Sequence, residues 1–136
     1  MLDTSVLVAA ARSRYGASRA LMSLLPDARI QPALSVPLFE EYRATLLRRE
    51  NLAGRLPREV DDFLDYLISI SHLQEIYYRW RPVLVDPDDD FVLELAVAAS
   101  CRYIVTHNLR DFRGVERWGI EPLPPGLLLR RLETMA

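Results

Sequence analysis

The sequence predicts an α/β fold, a sandwich of helices around a central, mostly parallel sheet. Three observations carry that expectation. Short apolar or β-branched runs alternate with longer stretches of helical periodicity. Gly and Pro stand at the joints between them. Half of the 136 residues are hydrophobic, so a chain of ordinary domain size can bury a core, and residues 1–136 are read as one domain.

Met1 to Val8 reads as a first strand, with Asp3 held near its end. After Gly16, Ala17 to Leu25 places Ala17, Leu21, Leu24 and Leu25 at helical spacing, and Pro26 closes the helix. Arg29 to Leu34 reads as a second strand. Ser35 offers an N-cap hydroxyl for a helix through Leu38, Tyr42, Leu46 and Leu47, with Glu40 and Glu41 in its first turns. Gly54 and Pro57 precede a third helix, Arg58 to Ser71, whose apolar face is Val60, Phe63, Leu64, Leu67 and Ile68, with His72 on its polar flank. Val83 to Val85 is a brief β-branched segment, and Asp88-Asp89-Asp90 can cap a helix over Phe91 to Ser100. Tyr103 to Thr106 reads as a buried strand that runs into the polar cluster His107 to Asp111. Ile120 to Leu123 is a last strand before a terminal helix from Gly126.

Composition narrows the functional classes. One cysteine, Cys101, excludes an internal disulfide framework and favours a reducing compartment. No leader pattern opens the chain and no apolar run approaches the length of a bilayer span, so a cytoplasmic protein without a membrane partner is expected. The net charge of −2 gives no overall pull towards nucleic acid. All 17 basic residues are arginine, which excludes mechanisms that need a lysine ammonium and suits bidentate phosphate contacts.

Four acidic stations stand out: Asp3, the pair Glu40-Glu41, the run Asp88-Asp89-Asp90, and Asp111. Singly, the later ones can be helix caps or solvated faces. Asp3 is different, because a carboxylate wedged between Leu2 and an apolar run loses solvation unless something pairs with it. In a parallel sheet the carboxyl ends of the strands share one rim, so acids about a hundred positions apart can meet there. Converging carboxylates repel, and a hard divalent cation relieves them; oxygen-only ligation points to Mg2+ or Mn2+ and to phosphodiester hydrolysis. His72, His107 and Cys101 have no zinc-like spacing.

Leu2-Asp3-Thr4-Ser5-Val6-Leu7, Phe39-Glu40-Glu41-Tyr42, Asp86-Pro87-Asp88-Asp89-Asp90 with Leu93-Glu94-Leu95-Ala96, and Tyr103-Ile104-Val105-Thr106 with Asn108 and Asp111-Phe112 together resemble PIN-domain nucleases, specifically the VapC-like toxins of bacterial toxin–antitoxin modules. The resemblance implies a three-layer α/β/α sandwich and a cytoplasmic endoribonuclease that uses Mg2+ or Mn2+, is often a homodimer, and is held inactive by a cognate antitoxin. It matches Asp3 to the first metal-coordinating acid and Glu41, ahead of Glu40, to the second. Asp89 or Asp90 matches the third, and Asp111 the fourth. Thr4, Ser5, Thr106 and Asn108 match supporting positions. Arg12, Arg14, Arg43, Arg110 and Arg113 lie close in sequence to these acids and are candidates for RNA contacts. The segment Tyr77 to Arg81 mixes aromatic and basic side chains as an interface or a base-stacking surface does, and the tail Glu121 to Gly126 with Arg130-Arg131 is a second interface candidate. A catalytically silent PIN-like binding module is the alternative. Receiver-like and dehalogenase-like phosphotransfer folds are disfavoured by the absent lysine and by Asp3-Thr4-Ser5 in place of an Asp-x-Asp opening.

Overall fold

The structure, a computed structural model, describes residues 1–76 and 90–135, Asp90 by its backbone alone. The expected β-branched segment at Val83 to Val85, the aromatic run at Tyr77 to Arg81 and the side chains of Asp88, Asp89 and Asp90 lie outside the described residues.

The chain enters through Leu2, which bridges Val105 in parallel, and turns at once into helix α1, Thr4–Arg12. The expected strand over Met1 to Val8 is therefore confined to its first residues. Periodicity explains the difference: Val6, Leu7 and Ala10 are buried at helical spacing, and the run Ala9-Ala10-Ala11 favours helix, whereas an alternating strand would have to bury every second residue. Asp3 takes the extended N-cap conformation between the two.

Helix α2, Ala17–Leu24, ends just before Pro26 as expected. Strand β1 is only Ala33–Leu34, shorter than the expected Arg29 to Leu34. Ser35 caps α3, Val36–Leu46, by accepting a hydrogen bond from the Leu38 amide at 3.3 Å. Glu40 and Glu41 fall in the second turn of α3, beyond the N-terminal dipole, so first-turn capping does not account for them. A short helix α4, Arg49–Leu52, was not expected. Helix α5, Pro57–Ile70, matches the third expected helix; Val60, Leu64 and Leu67 form its buried stripe. His72 belongs to strand β2, His72–Leu73, rather than to the flank of that helix, because Ser71 has already left helical conformation.

Helix α6, Asp90–Ala98, carries the most deeply enclosed segment of the core, Val92, Leu93, Leu95 and Ala96. Strand β3, Tyr103–Val105, pairs in parallel with β4, Glu121–Leu123, and β1 pairs in parallel with β2. Two 3-10 turns, Leu109–Phe112 and Val115–Trp118, fill the β3 to β4 crossover, and α7, Pro125–Glu133, ends the described chain. Parallel pairing with helical connections makes this an α/β fold. Full burial of each core leucine or valine side chain contributes on the order of 1.5–3 kcal/mol. Among the described residues no helix is long and apolar enough to cross a membrane.

Candidate active site at the carboxyl edge of the strands

The backbone puts Asp3 where the sequence argument wanted it. Its amide donates to the Val105 carbonyl at 2.9 Å, and the Val105 amide donates to the Met1 carbonyl at 2.9 Å, so Asp3 leaves the sheet beside the end of β3. Its side chain is only 6 % exposed. Two hydroxyls converge on one carboxylate oxygen: Ser5 Oγ and Thr106 Oγ1 each donate to Asp3 Oδ2 at 2.8 Å. No described residue donates to Oδ1, and no described cation pairs with Asp3. Both hydroxyls hold the carboxylate in one orientation and leave its other oxygen without a described donor.

Glu41 reaches the same region from α3. Its Oε2 accepts the hydroxyl of Thr4, the first residue of α1, which sits next to Asp3 in the chain. The following residue fixes this register: Tyr42 is fully enclosed, and its hydroxyl donates to the Leu2 carbonyl immediately before Asp3. Burial raises the Tyr42 hydroxyl pKa well above its ordinary 10.0, and the negative charges of Asp3 and Glu41 raise it further, so both acids lie within electrostatic reach of one phenol. Glu40 is exposed on the other side of that helical turn. The sequence showed Tyr42 as a member of an apolar stripe; the signal for its second role was that a buried tyrosine needs a partner for its hydroxyl.

The β3 to β4 crossover completes the rim. Thr106 Oγ1 also accepts from the Asn108 amide at 2.9 Å, and Ser5 Oγ accepts from the His107 amide at 3.1 Å. Thr4, Ser5, Thr106 and the Asn108 backbone are thus brought together around Asp3. The Asp111 amide donates to the Asn108 carbonyl at 3.0 Å, which places half-buried Asp111 in the 3-10 turn just beyond. Among the described residues, no group of three or more His, Cys, Asp or Glu side chains converges closely enough to hold a metal. Thr4, next to Asp3 in the chain, ties Glu41 to the same region; Asp111 follows on the loop that Thr106 and the Asn108 backbone fix beside Asp3; Asp89 and Asp90 belong to the part whose side chains are not described.

Two residues escaped the sequence reading. Ser18, 2 % exposed in the first turn of α2, lies 2.6 Å from His107 Nε2, and this contact ties the loop after β3 to α2. In the sequence His107 stands only as part of the polar cluster after Thr106 and as a histidine without zinc-like spacing. Of the candidate RNA-contacting arginines, Arg43 is bound to Asp61 at 2.8 Å, while Arg12, Arg14, Arg110 and Arg113 are exposed. A cavity of about 320 Å³ opens at the opposite, amino edge, lined by Met1, Leu25, Cys101, Tyr103 and Arg131 among others; neither Asp3, Glu41 nor Asp111 borders it.

A family model described as PIN domain matches residues 1–110. No curated protein and no solved structure matches the chain.

Proposed function

Because the chain belongs to the PIN-domain family, whose members are generally nucleases and therefore hydrolases, we propose that it is a divalent-metal-dependent endoribonuclease, the VapC-like toxin of a toxin–antitoxin module. The observation that carries this reading is Asp3: a buried carboxylate oriented by two hydroxyls through one oxygen, with no described cation paired to it. Residues 1–136 are read as one PIN domain, since β4, beyond the matched 110 residues, pairs with β3.

The donor set fits a hard cation. Asp3 and Glu41 offer oxygen only, whereas His72 bonds Gln74 in β2's surroundings and Cys101 lies towards the amino edge. Asp3 and Glu41, with Asp111 and Asp89 or Asp90, would hold Mg2+ or Mn2+. When bound, the ion supplies charge stabilisation at the phosphoryl oxygens and acidifies the attacking water. The chain supplies orientation. Ser5 and Thr106 fix the Asp3 carboxylate, and the Thr4 hydroxyl fixes Glu41, whose carboxylate orients the water and takes its proton. Thr106 and Asn108 hold the loop that carries Asp111.

The reading extends to RNA hydrolysis in the cytoplasm, to a homodimer, and to inhibition by a cognate antitoxin. Cleavage of a mixed-sequence RNA by the purified chain tests it. Magnesium or manganese should support cleavage and EDTA should abolish it. The paired substitutions Asp89→Asn and Asp90→Asn should lower the rate as Asp3→Asn does. Metal binding without cleavage of any substrate would select the silent binding module instead.

A further inference from the structure

Asp3 precedes the start of α1 and Glu41 reaches it from the middle of α3, while the far ends of both helices carry a concentration of arginine. Helix α1 starts at Thr4, beside Asp3, and ends at Arg12; nine residues span about 14 Å. Helix α3 runs beside it, with Glu41 touching Thr4 and with Arg48 and Arg49 following its end. The far ends are stitched together. Arg55 Nη1 donates to the Ala11 carbonyl at 3.0 Å, and Arg12 Nη2 lies 3.5 Å from the Glu50 carbonyl. Arg12 and Arg55 are thereby committed to the frame.

Arg14, Arg48 and Arg49 are not. All three are exposed, and none makes a side-chain hydrogen bond or ion pair with a described residue. Three arginines of the fold are neutralised by an acid, in the Asp27–Arg29, Arg43–Asp61 and Glu121–Arg131 pairs. Glu50 is the one acid in residues 9–20 and 48–58, in a chain with more acids than bases. Next to Arg14 stands Tyr15, 94 % exposed. An aromatic ring left in water beside free guanidinium groups is the surface that unpaired bases and their phosphates recognise: the ring stacks on a base, and the planar forks bind phosphate oxygens.

We propose that Arg14, Tyr15, Arg48 and Arg49 form a track for single-stranded RNA that leads away from Asp3 and Glu41 and holds the substrate a few nucleotides from the scissile bond. The inference rests on the ribonuclease reading and deepens it. It makes the preferred substrate an unpaired strand long enough to span both ends of α1.

The test compares the parent with Tyr15→Ala and with the triple variant Arg14→Gln, Arg48→Gln and Arg49→Gln. Metal-free binding of a fluorescent unpaired oligoribonucleotide is followed by anisotropy over a salt series, and cleavage is followed on long and short oligomers with magnesium. Tyr15→Ala should weaken binding at least about five-fold. The triple variant should flatten the slope of log affinity against log salt by about 2, from three lost phosphate contacts. Both should raise KM for the long oligomer, leave kcat unchanged, and leave the short oligomer unaffected.

Unchanged salt slope and KM in a parent that cleaves RNA would overturn the track and leave the ribonuclease reading standing. A parent that binds the strand through these residues without cutting it would do the reverse. If the triple variant loses retention on polyglutamate while its KM for RNA stays the same, the patch belongs to an acidic protein and the proposal falls. Tyr15→Ala alters one fully solvated side chain, so it decides the matter even if the triple variant unfolds.

Discussion

At the amino edge of β3 and β4, Glu121 meets the Arg131 guanidinium through two bonds of 2.7 Å, whereas at the carboxyl edge of the same strands the side-chain partners of Asp3 among the described residues are two hydroxyls. The first acid is half-buried and finished: a bidentate partner cancels its charge, and that hydrogen bonding lowers its pKa. The second is buried, and among the described residues no cation stands against it. A fold that places arginine against glutamate at one edge brings no described arginine to Asp3. The difference separates an acid whose charge is cancelled within the protein from one that no described cation pairs, which is where the proposed metal ion would act.

The largest effect follows from removing that charge. Asp3→Asn keeps an oxygen to receive the Ser5 and Thr106 hydroxyls but loses the anion, so RNA cleavage with saturating magnesium should fall at least about 100-fold. Thermal denaturation should show a melting point equal to or above the parent's, since a buried uncompensated carboxylate has been neutralised. A variant that lost both activity and stability would show Asp3 to be structural, and the contrast between the two edges would disappear.

Tyr42 sharpens the contrast from beneath, because its hydroxyl holds the Leu2 carbonyl directly before the acid. Tyr42→Phe leaves that buried acceptor short of a donor and should cost about 1–3 kcal/mol in urea denaturation at neutral pH. The folded-state pKa of Tyr42 is raised, so its contribution is fully present below the unfolded value of 10.0 and is lost as pH rises towards the higher folded value. The stability gap between parent and Tyr42→Phe should therefore narrow above pH 10. A gap that stays constant would mean that the phenol is not enclosed as described.

Thr106→Val should have a smaller effect on both readouts. The hydroxyl donates to Asp3 and accepts from the Asn108 amide, and valine keeps its shape without either bond. Urea titration should register a loss of about 1 kcal/mol. Cleavage should slow by roughly ten-fold, as for a residue that orients a ligand without being one. Loss of stability with no loss of rate would uncouple the hydroxyl from the acid's function.

Much of this site was legible in the sequence because its signals are local. Asp3 stood out as an acid inside an apolar run, Ser35 as a cap three residues before Leu38, and Thr106 as the polar end of a β-branched strand. What escaped depends on contacts between segments far apart in the chain. The pairing of Thr4 with Glu41, of Tyr42 with Leu2 and of Ser18 with His107 spans 37, 40 and 89 positions, and no periodicity encodes such partners. The first strand was overextended for a related reason: Ser5 to Val8 is apolar enough for either state, and packing of Val6, Leu7 and Ala10 against α2 and α3 decided for helix. Among the arginines near the acids in sequence, Arg43 is spent on Asp61, a partner 18 positions away that no local pattern shows.

The smallest effect tests the finished acid. Glu121 and Arg131 keep 46 % and 37 % of their side chains exposed, so water and salt screen much of their attraction, and Glu121→Gln should lower the neutral-pH melting point only slightly. The sign of its pH dependence is still fixed. The folded-state pKa of Glu121 lies below the ordinary 4.5, so the pair's contribution is present above that value and is lost as pH falls through the lower folded one. Parent and Glu121→Gln should differ at pH 7 and converge in strong acid. The Arg131→Gln variant and the double variant should show that the two losses are not additive, because either substitution alone removes the same pair. Additive losses would mean that Arg131 stabilises chiefly through its stacking over the Tyr103 ring, 5.8 Å from guanidinium to centroid, and that the amino edge is held by aromatic packing instead of charge.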